Sequence, residues 1–168
     1  YFDYFTLPGN ERTYDFVVEP IHFFILNSDP KEPNGRSVDS VQALWLEGGL
    51  AQSDQPWRLV VMHHTPYTSS LKRNPDKALQ WPYADWGATA VLSGHDHLYE
   101  RLEADNIPYF VNGAGGRNLN VFGRPEPESI VRYNRDYGAM HIQANDSCLN
   151  FTFYSRENEL IDSVTLTQ

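Results

Sequence analysis

Short apolar runs that each end in a polar or glycine-rich turn constrain the fold of this 168-residue chain more than any other feature. The runs are rich in β-branched and aromatic residues and have the length of buried strands. They occupy residues 21–26, 58–62, 89–92 and 108–111. Because the segment between the first two has a helical pattern, the runs predict an open α/β sheet. In such sheets a functional site lies outside the carboxyl ends of the strands.

The segment between the first two strands is predicted to contain a loop and then a helix. Residues 27–36 carry Asn, Ser, Pro and Gly, which favours a loop. Ser37 or Asp39 is the expected cap of the helix, and Gly48-Gly49 is expected to fray its end. The apolar residues at helical spacing are Val41, Leu44, Trp45 and Leu50.

The last part of the chain has a different pattern, which predicts a second sheet. Apolar and polar residues alternate over residues 139–144, 148–154 and 160–166. This alternation is typical of antiparallel strands with one buried and one solvated face. The whole chain is therefore expected to be strand-rich and of the α/β (α+β) class, and to form one domain or a large piece of one.

Charge and composition exclude several classes of protein. The chain carries 13 basic and 22 acidic residues, a net charge of −9, which disfavours binding to nucleic acid. It has no apolar stretch approaching the ~20 residues of a membrane-spanning helix, so an integral membrane protein is excluded. Cys148 is the single cysteine, which excludes a disulfide within the chain and a cysteine-based zinc cage. The compartment does not follow from one cysteine.

Histidines come directly after two of the predicted strands and point to a metal site. His63 and His64 come after the second run, and His95 and His97 come after the third. Side chains two residues apart at a strand end can face the same side, so both imidazoles of the second pair can reach one centre or two neighbouring ones. Neutral imidazole is a good ligand for zinc, iron and manganese. A single histidine is more often a surface residue, but two pairs at strand ends favour metal binding.

Two further segments leave alternatives open. The glycine-rich turn at residues 112–118 either brings backbone amides to an anion or is a tight turn that requires a positive φ. Lys72 and Arg73, in the polar loop over residues 65–81, are interpreted as solvated charges, with contact to a distal phosphate as the alternative. Gly9-Asn10-Glu11 is interpreted as a loop.

Three segments of the chain resemble the calcineurin-like metallophosphoesterases, and within them most closely the purple acid phosphatases. The segments are residues 60–69, 94–101 and 109–116, of which the second reads Gly-His-Asp-His-Leu-Tyr-Glu-Arg. The resemblance implies a double β-sandwich flanked by helices. It also implies hydrolysis of small phosphate mono- or diesters at a pair of divalent or trivalent metal ions, which are Fe, Mn or Zn.

The resemblance assigns roles to individual histidines. His95 corresponds to a ligand of one metal and His97 to a ligand of the other. His63 is the preferred further ligand of the first metal, because Tyr67 then falls four positions on, as in the plant enzymes. His64 is the alternative ligand, and with His63 as ligand it is a catalytic residue that faces the substrate. Asp96 occupies a variable position of the family and receives no role.

The family's Asp-x-His, Gly-Asp and Gly-Asn-His motifs do not occur in the chain. In the family they lie upstream of the matching segments, so residues 1–168 are expected to be a partial domain, the C-terminal half of the phosphoesterase fold. The expected partners are therefore the missing N-terminal half and a phosphate ester, with no nucleic acid and no membrane. The alternative function is a degenerate, non-catalytic metal-binding module. The resemblance favours an exported protein, periplasmic or extracellular.

Overall fold

The computed structural model describes residues 4–168, which form two sheets, one α-helix and one short 3₁₀ turn at Lys77–Leu79. The first part of the chain contains β1 (Tyr14–Val18), β2 (Ile21–Ile25), α1 (Val41–Gln52), β3 (Trp57–Val61), β4 (Ala90–Ser93), β5 (Tyr99–Ala104), β6 (Ile107–Asn112) and β7 (Ser129–Tyr133). The last part contains β8 (Gly138–Ala144), β9 (Cys148–Ser155) and β10 (Leu160–Thr167).

The large sheet is mixed, with parallel strands at its centre. Its seven strands run in the order β1-β2-β3-β4-β6-β5-β7. Strands β2, β3, β4 and β6 are parallel, whereas β1, β5 and β7 pair antiparallel at the two sides. The parallel centre confirms the open α/β sheet predicted from the apolar runs. It also sends the carboxyl ends of β2, β3 and β4 to one edge.

The helix α1 packs against one face of the large sheet, and its ends differ from the prediction. Its cap is Ser40, whose hydroxyl accepts a hydrogen bond from the Ala43 amide at 3.2 Å, rather than Ser37 or Asp39. Gly48 and Gly49 lie inside the helix instead of fraying it. A Cβ at Gly49 would lie 2.7 Å from the Phe24 ring of β2, so this glycine allows the helix to approach the sheet closely.

The second sheet covers the opposite face of the large one. It is antiparallel, in the order β10-β9-β8, which confirms the predicted meander with one solvated face. Phe151 and Phe153 of β9 are buried between the sheets, with ring centroids 4.6 Å from Phe110 and 3.9 Å from Tyr99. Such aromatic pairs each contribute about 0.5–1.5 kcal/mol beyond the area they bury. The chain therefore forms a β-sandwich with a helix on one side.

A buried ionic network joins the two sheets. Asp162 of β10 accepts hydrogen bonds from the Tyr99 hydroxyl at 2.7 Å and from Nε and Nη2 of Arg101 at 2.7 and 3.0 Å, both in β5. The hydrogen bond to Asp162 raises the pKa of Arg101, and burial raises the pKa of Tyr99.

Among residues 4–168, no helix is long and apolar enough to cross a membrane.

Candidate metal centre

Three imidazoles meet where β3 and β4 end. These strands are parallel neighbours, with Val61 opposite Leu92, so the segments that come after them leave the same edge of the sheet. The Gly94 amide then donates to the His63 carbonyl at 3.0 Å, which keeps the two segments together. The donor nitrogens of His63, His64 and His95 all lie within 4.8 Å of one another.

The imidazoles of this histidine cluster lie at different distances from one another. His63 Nε2 and His95 Nδ1 are 2.9 Å apart, close enough to face a common ion. The ring centroids of His64 and His95 are 4.4 Å apart. His95 has a φ of +61°, in the left-handed region that costs a non-glycine residue about 1–2 kcal/mol. Strain of this kind is characteristic of functional sites, where the surrounding structure enforces it.

Ser28 holds His64 in one tautomer, a role that the sequence pattern did not reveal. Its buried hydroxyl oxygen accepts from the backbone amides of His63 at 3.2 Å and His64 at 2.9 Å, which occupies both lone pairs. The hydroxyl proton is then left to donate to His64 Nδ1, 3.0 Å away. The ring proton of neutral His64 therefore resides on Nε2. Ser28 lies just beyond β2, which neighbours β3 in the sheet, and this adjacency is the signal that would have identified it.

The surroundings of the cluster favour the neutral form of two of its imidazoles. Burial, together with the positive charges of His64 and Arg73, lowers the pKa of His95 from 6.5 to about 4. Burial and the charge of His63 lower the pKa of His64 as well. Neutral imidazole is the form that binds a metal ion, so these residues fit a metal centre. The cluster contains no carboxylate from the described residues.

His97 lies outside this cluster and is oriented by contacts of its own. Its Nδ1–H donates to the Asn118 carbonyl at 3.0 Å, and its amide donates to the Asn120 side chain at 2.8 Å. A hydrogen bond of this kind orients the ring and leaves the Nε2 lone pair available, as is usual for metal-binding histidines. Of the four histidines predicted at strand ends, three therefore converge, and the fourth is oriented separately.

The glycine-rich turn packs against the turn that carries His95 and His97. A Cβ at Gly113 would lie 2.0 Å from the Asp96 carbonyl oxygen, so glycine is required there for close approach. The Asp96 side chain is fully buried, and its Oδ2 accepts from the Thr65 hydroxyl at 3.3 Å. Asp96 Oδ1 has no hydrogen-bond partner within the described part of the chain. Gly116 has a φ of +148°, which agrees with the predicted turn at positive φ, whereas Gly113 is required for the close approach.

A cavity of about 570 Å³ opens beside the cluster. It is lined by His64, Thr65 and His95 together with residues 72–78. His63 is exposed and is not part of this lining. His64 therefore borders a space in which a ligand can bind next to the imidazoles.

The other histidines have different surroundings. His22 of β2 bridges Ser53 Oγ at 2.8 Å and Asp15 Oδ2 at 2.9 Å, which joins the edge strand to the end of α1. His141 is exposed on the solvated face of the second sheet. Asn10 accepts hydrogen bonds from the amides of Arg12 and Thr13, consistent with the loop predicted there.

Several known proteins are similar to this chain in sequence or in fold. The family model of the calcineurin-like phosphoesterases matches residues 1–99. Tartrate-resistant acid phosphatase type 5 of Mus musculus is 30% identical over 131 residues, covering 75% of this chain. A purple acid phosphatase from yellow lupin (Lupinus luteus) seeds superposes with a TM-score of 0.84 at 20% identity over 97% of this chain and 34% of that one. GAP50, the anchor in the inner membrane complex of Plasmodium, superposes with a TM-score of 0.71 at 16% identity, over 92% of this chain and 53% of that one.

The chain is shorter than these relatives. It spans 38% of the length of the mouse phosphatase. The likeness to the two solved structures, at 20% and 16% identity, concerns the fold.

Proposed function

The chain belongs to the calcineurin-like phosphoesterase family, and from this premise we propose that it forms part of a metal-dependent phosphoester hydrolase. The observation that carries the proposal is the convergence of three imidazoles at the carboxyl ends of β3 and β4. The acidic net charge of −9 agrees with it, because metal ions rather than lysine and arginine then neutralise the phosphate being cleaved. Its substrates are small phosphate mono- or diesters.

The histidines divide into two groups of ligands in this proposal. His63 Nε2 and His95 Nδ1 hold one ion, since these atoms already face each other at 2.9 Å. His97 holds a second ion through Nε2, the nitrogen that its hydrogen bond to Asn118 leaves available. When bound, the ions, which are Fe, Mn or Zn, polarise the phosphoryl oxygens and lower the pKa of a water nucleophile.

His64 acts on the substrate instead of the metal. The Ser28 hydroxyl places the ring proton on Nε2, and His64 lines the cavity beside the cluster. Its Nε2–H can therefore donate a hydrogen bond to a phosphoryl oxygen as negative charge develops there. Donors of this kind contribute about 10²–10³-fold to the rate when they are positioned in advance.

Metal analysis combined with turnover of an aryl phosphate tests the proposal in the full-length protein. Activity with bound metal is expected in at least one of Mn, Fe, Zn and Co, and the absence of both bound metal and turnover across all of them refutes it. His63→Ala is expected to lower metal content. His64→Ala is expected to retain metal and lose about 10²-fold in kcat. The exposed His141→Ala is the matched control and should change neither.

The remaining ligands are proposed to come from a preceding part of the protein. Carboxylates that bridge two ions are absent from the described cluster, and two dications a few Å apart repel strongly without them. The isolated 168 residues should therefore bind at most one metal ion per chain, weakly, and hydrolyse no phosphate ester. Adding a separately expressed N-terminal half should restore turnover and tighten metal binding. Stoichiometric binding of two ions by the chain alone, with hydrolysis, contradicts this division.

Export is also part of the proposal, on family grounds. It is tested by locating the full-length protein in cell fractions and in the medium. Recovery of the protein solely from the cytoplasm contradicts it.

A non-catalytic metal-binding module is the second candidate function. The observation that favours it is the same lack of a carboxylate among the described residues of the cluster. The fold also occurs in GAP50, the anchor in the inner membrane complex of Plasmodium. Replacement of the family's carboxylate motifs in the preceding part of the protein, with metal bound but no turnover, would select this alternative.

A further inference from the structure

Three hydrogen bonds tie His97 to the irregular segment over residues 118–120. The ring Nδ1–H of His97 donates to the Asn118 carbonyl at 3.0 Å, and its backbone amide donates to Asn120 Oδ1 at 2.8 Å. The Asn120 amide donates in return to the His97 carbonyl at 2.8 Å. One residue, 23 positions further along the chain, therefore satisfies both backbone groups of His97.

The side chain of Asn120 takes the place of a backbone carbonyl in this arrangement. Residues 118–120 belong to no strand or helix, so no strand ladder pairs them with His97. Asparagine has a short side-chain amide whose oxygen accepts a hydrogen bond as a peptide carbonyl does. Asn120 is buried, and a residue without an acceptor at this position would leave the His97 amide without its partner.

The segment around Asn120 is itself held by two other parts of the chain. Asn134, in the connection between β7 and β8, donates from Nδ2 to the Asn120 carbonyl at 2.8 Å. The Leu71 amide, in the loop after β3, donates to the Val121 carbonyl at 2.9 Å. Because these bonds come from both sides, the position of Asn120 does not depend on the glycine-rich turn alone.

We propose that Asn120 is a positioning residue of the metal centre, which fixes His97 for the second metal ion. This inference rests on the proposed function and gives a role to a residue that the sequence pattern did not single out. His97 lies outside the cluster of the other three histidines, so the bonds to residues 118–120 set where its Nε2 atom lies relative to that cluster. Asn120 acts through His97 and is not itself a ligand.

Calorimetric titration of the full-length protein with Co²⁺ tests the inference in the variant Asn120→Ala. One of the two ions should bind at least about tenfold more weakly, because the contacts that orient a ligand contribute about 10–100-fold to metal affinity. The other ion, held by His63 and His95, should bind within about twofold of the wild type. Asn134→Ala should weaken the same ion by a smaller factor, since it removes only the bond to the Asn120 carbonyl. The control Asn150→Ala removes side-chain hydrogen bonds in the second sheet and should leave both ions unchanged.

A measurement without metal separates this inference from the proposed function. In NMR spectra of the metal-free, full-length protein, at a pH at which the ring is neutral, the nitrogen shifts of His97 should place its proton on Nδ1. Asn120→Ala should show a mixture of the two tautomers, whereas Asn120→Asp keeps an accepting oxygen and should retain the wild-type ring signals. If the wild type binds no metal ion, the proposed function fails while these ring signals still decide the inference. Unchanged ring signals in Asn120→Ala, unchanged Co²⁺ affinity or an equal weakening of both ions overturns the assignment.

Discussion

Substitution of Gly113 by alanine should disable the metal centre without touching any ligand. The new Cβ would lie 2.0 Å from the Asp96 carbonyl oxygen and 3.4 Å from the His97 Cα. Cβ atoms essentially never approach closer than 3.0 Å, so the two turns must separate by about 1 Å. Because Asp96 lies between His95 and His97, the displacement moves both of these proposed ligands. Misplacement by about 1 Å costs on the order of 10²-fold where geometry is critical.

Two measurements on the full-length protein detect that displacement. Calorimetric titration with Zn²⁺ or Co²⁺ should show affinity reduced by about 10²-fold, and urea unfolding should show a loss of about 1–3 kcal/mol from overpacking. Gly115→Ala is the matched control in the same turn, since a Cβ there meets no atom within 4 Å. If Gly113→Ala binds metal as tightly as Gly115→Ala and the wild type, the close contact does not set the ligand geometry.

Three further predictions concern the ligands, the pH response and the ionic network. His95→Ala and His97→Ala should each lower bound metal and activity in the full-length protein more than the exposed His141→Ala, and equal metal content in all three variants would contradict the assignment. The pKa of His95 is about 4 in the folded state against an ordinary value of 6.5, so the unfolded state takes up the proton at a higher pH than the folded state does. The free energy of unfolding should therefore fall as the pH drops from 6.5 to 4. His95→Gln should lose less stability over that range in urea titrations, and an identical loss would exclude His95 as the cause. Asp162→Ala should cost about 3 kcal/mol, the lower end for breaking a buried ion pair, because it leaves the largely buried Arg101 guanidinium unpaired. Glu157→Gln, in an exposed ion pair, should change the free energy of unfolding by less than about 1 kcal/mol in the same assay.

A comparison of the predicted with the observed strands shows which parts of the fold follow from local sequence pattern. The four apolar runs coincide with β2, β3, β4 and β6 to within two residues, and the alternating tail coincides with β8, β9 and β10. Strands β1, β5 and β7 were not predicted. In β5 three of the six residues are charged, with no strict alternation, and Glu100 is nevertheless fully buried. Its carboxylate accepts from the Ser69 amide and the Ser129 hydroxyl, partners that only the folded chain brings near.

In the candidate site, too, some features can be predicted from the sequence and others cannot. The positions of the histidines at strand ends can be predicted from the sequence, because parallel neighbouring strands deliver the segments after them to one edge of the sheet. Their different roles cannot be predicted in this way. Ser28 sets the tautomer of His64 from 36 residues away, and Asn118 orients His97 from 21 residues away.

The sequence by itself therefore determined the class of fold, the concentration of imidazoles after two strands and the edge of the sheet where they lie. These depend on periodicity and residue type, which are local properties of the chain. The tertiary structure alone decided which imidazoles meet, why position 113 requires glycine and how the loop over residues 72–78 lies beside the imidazoles. Each of these depends on contacts between residues distant in sequence, and such contacts exist only once the sheets, the helix and the loops have packed together.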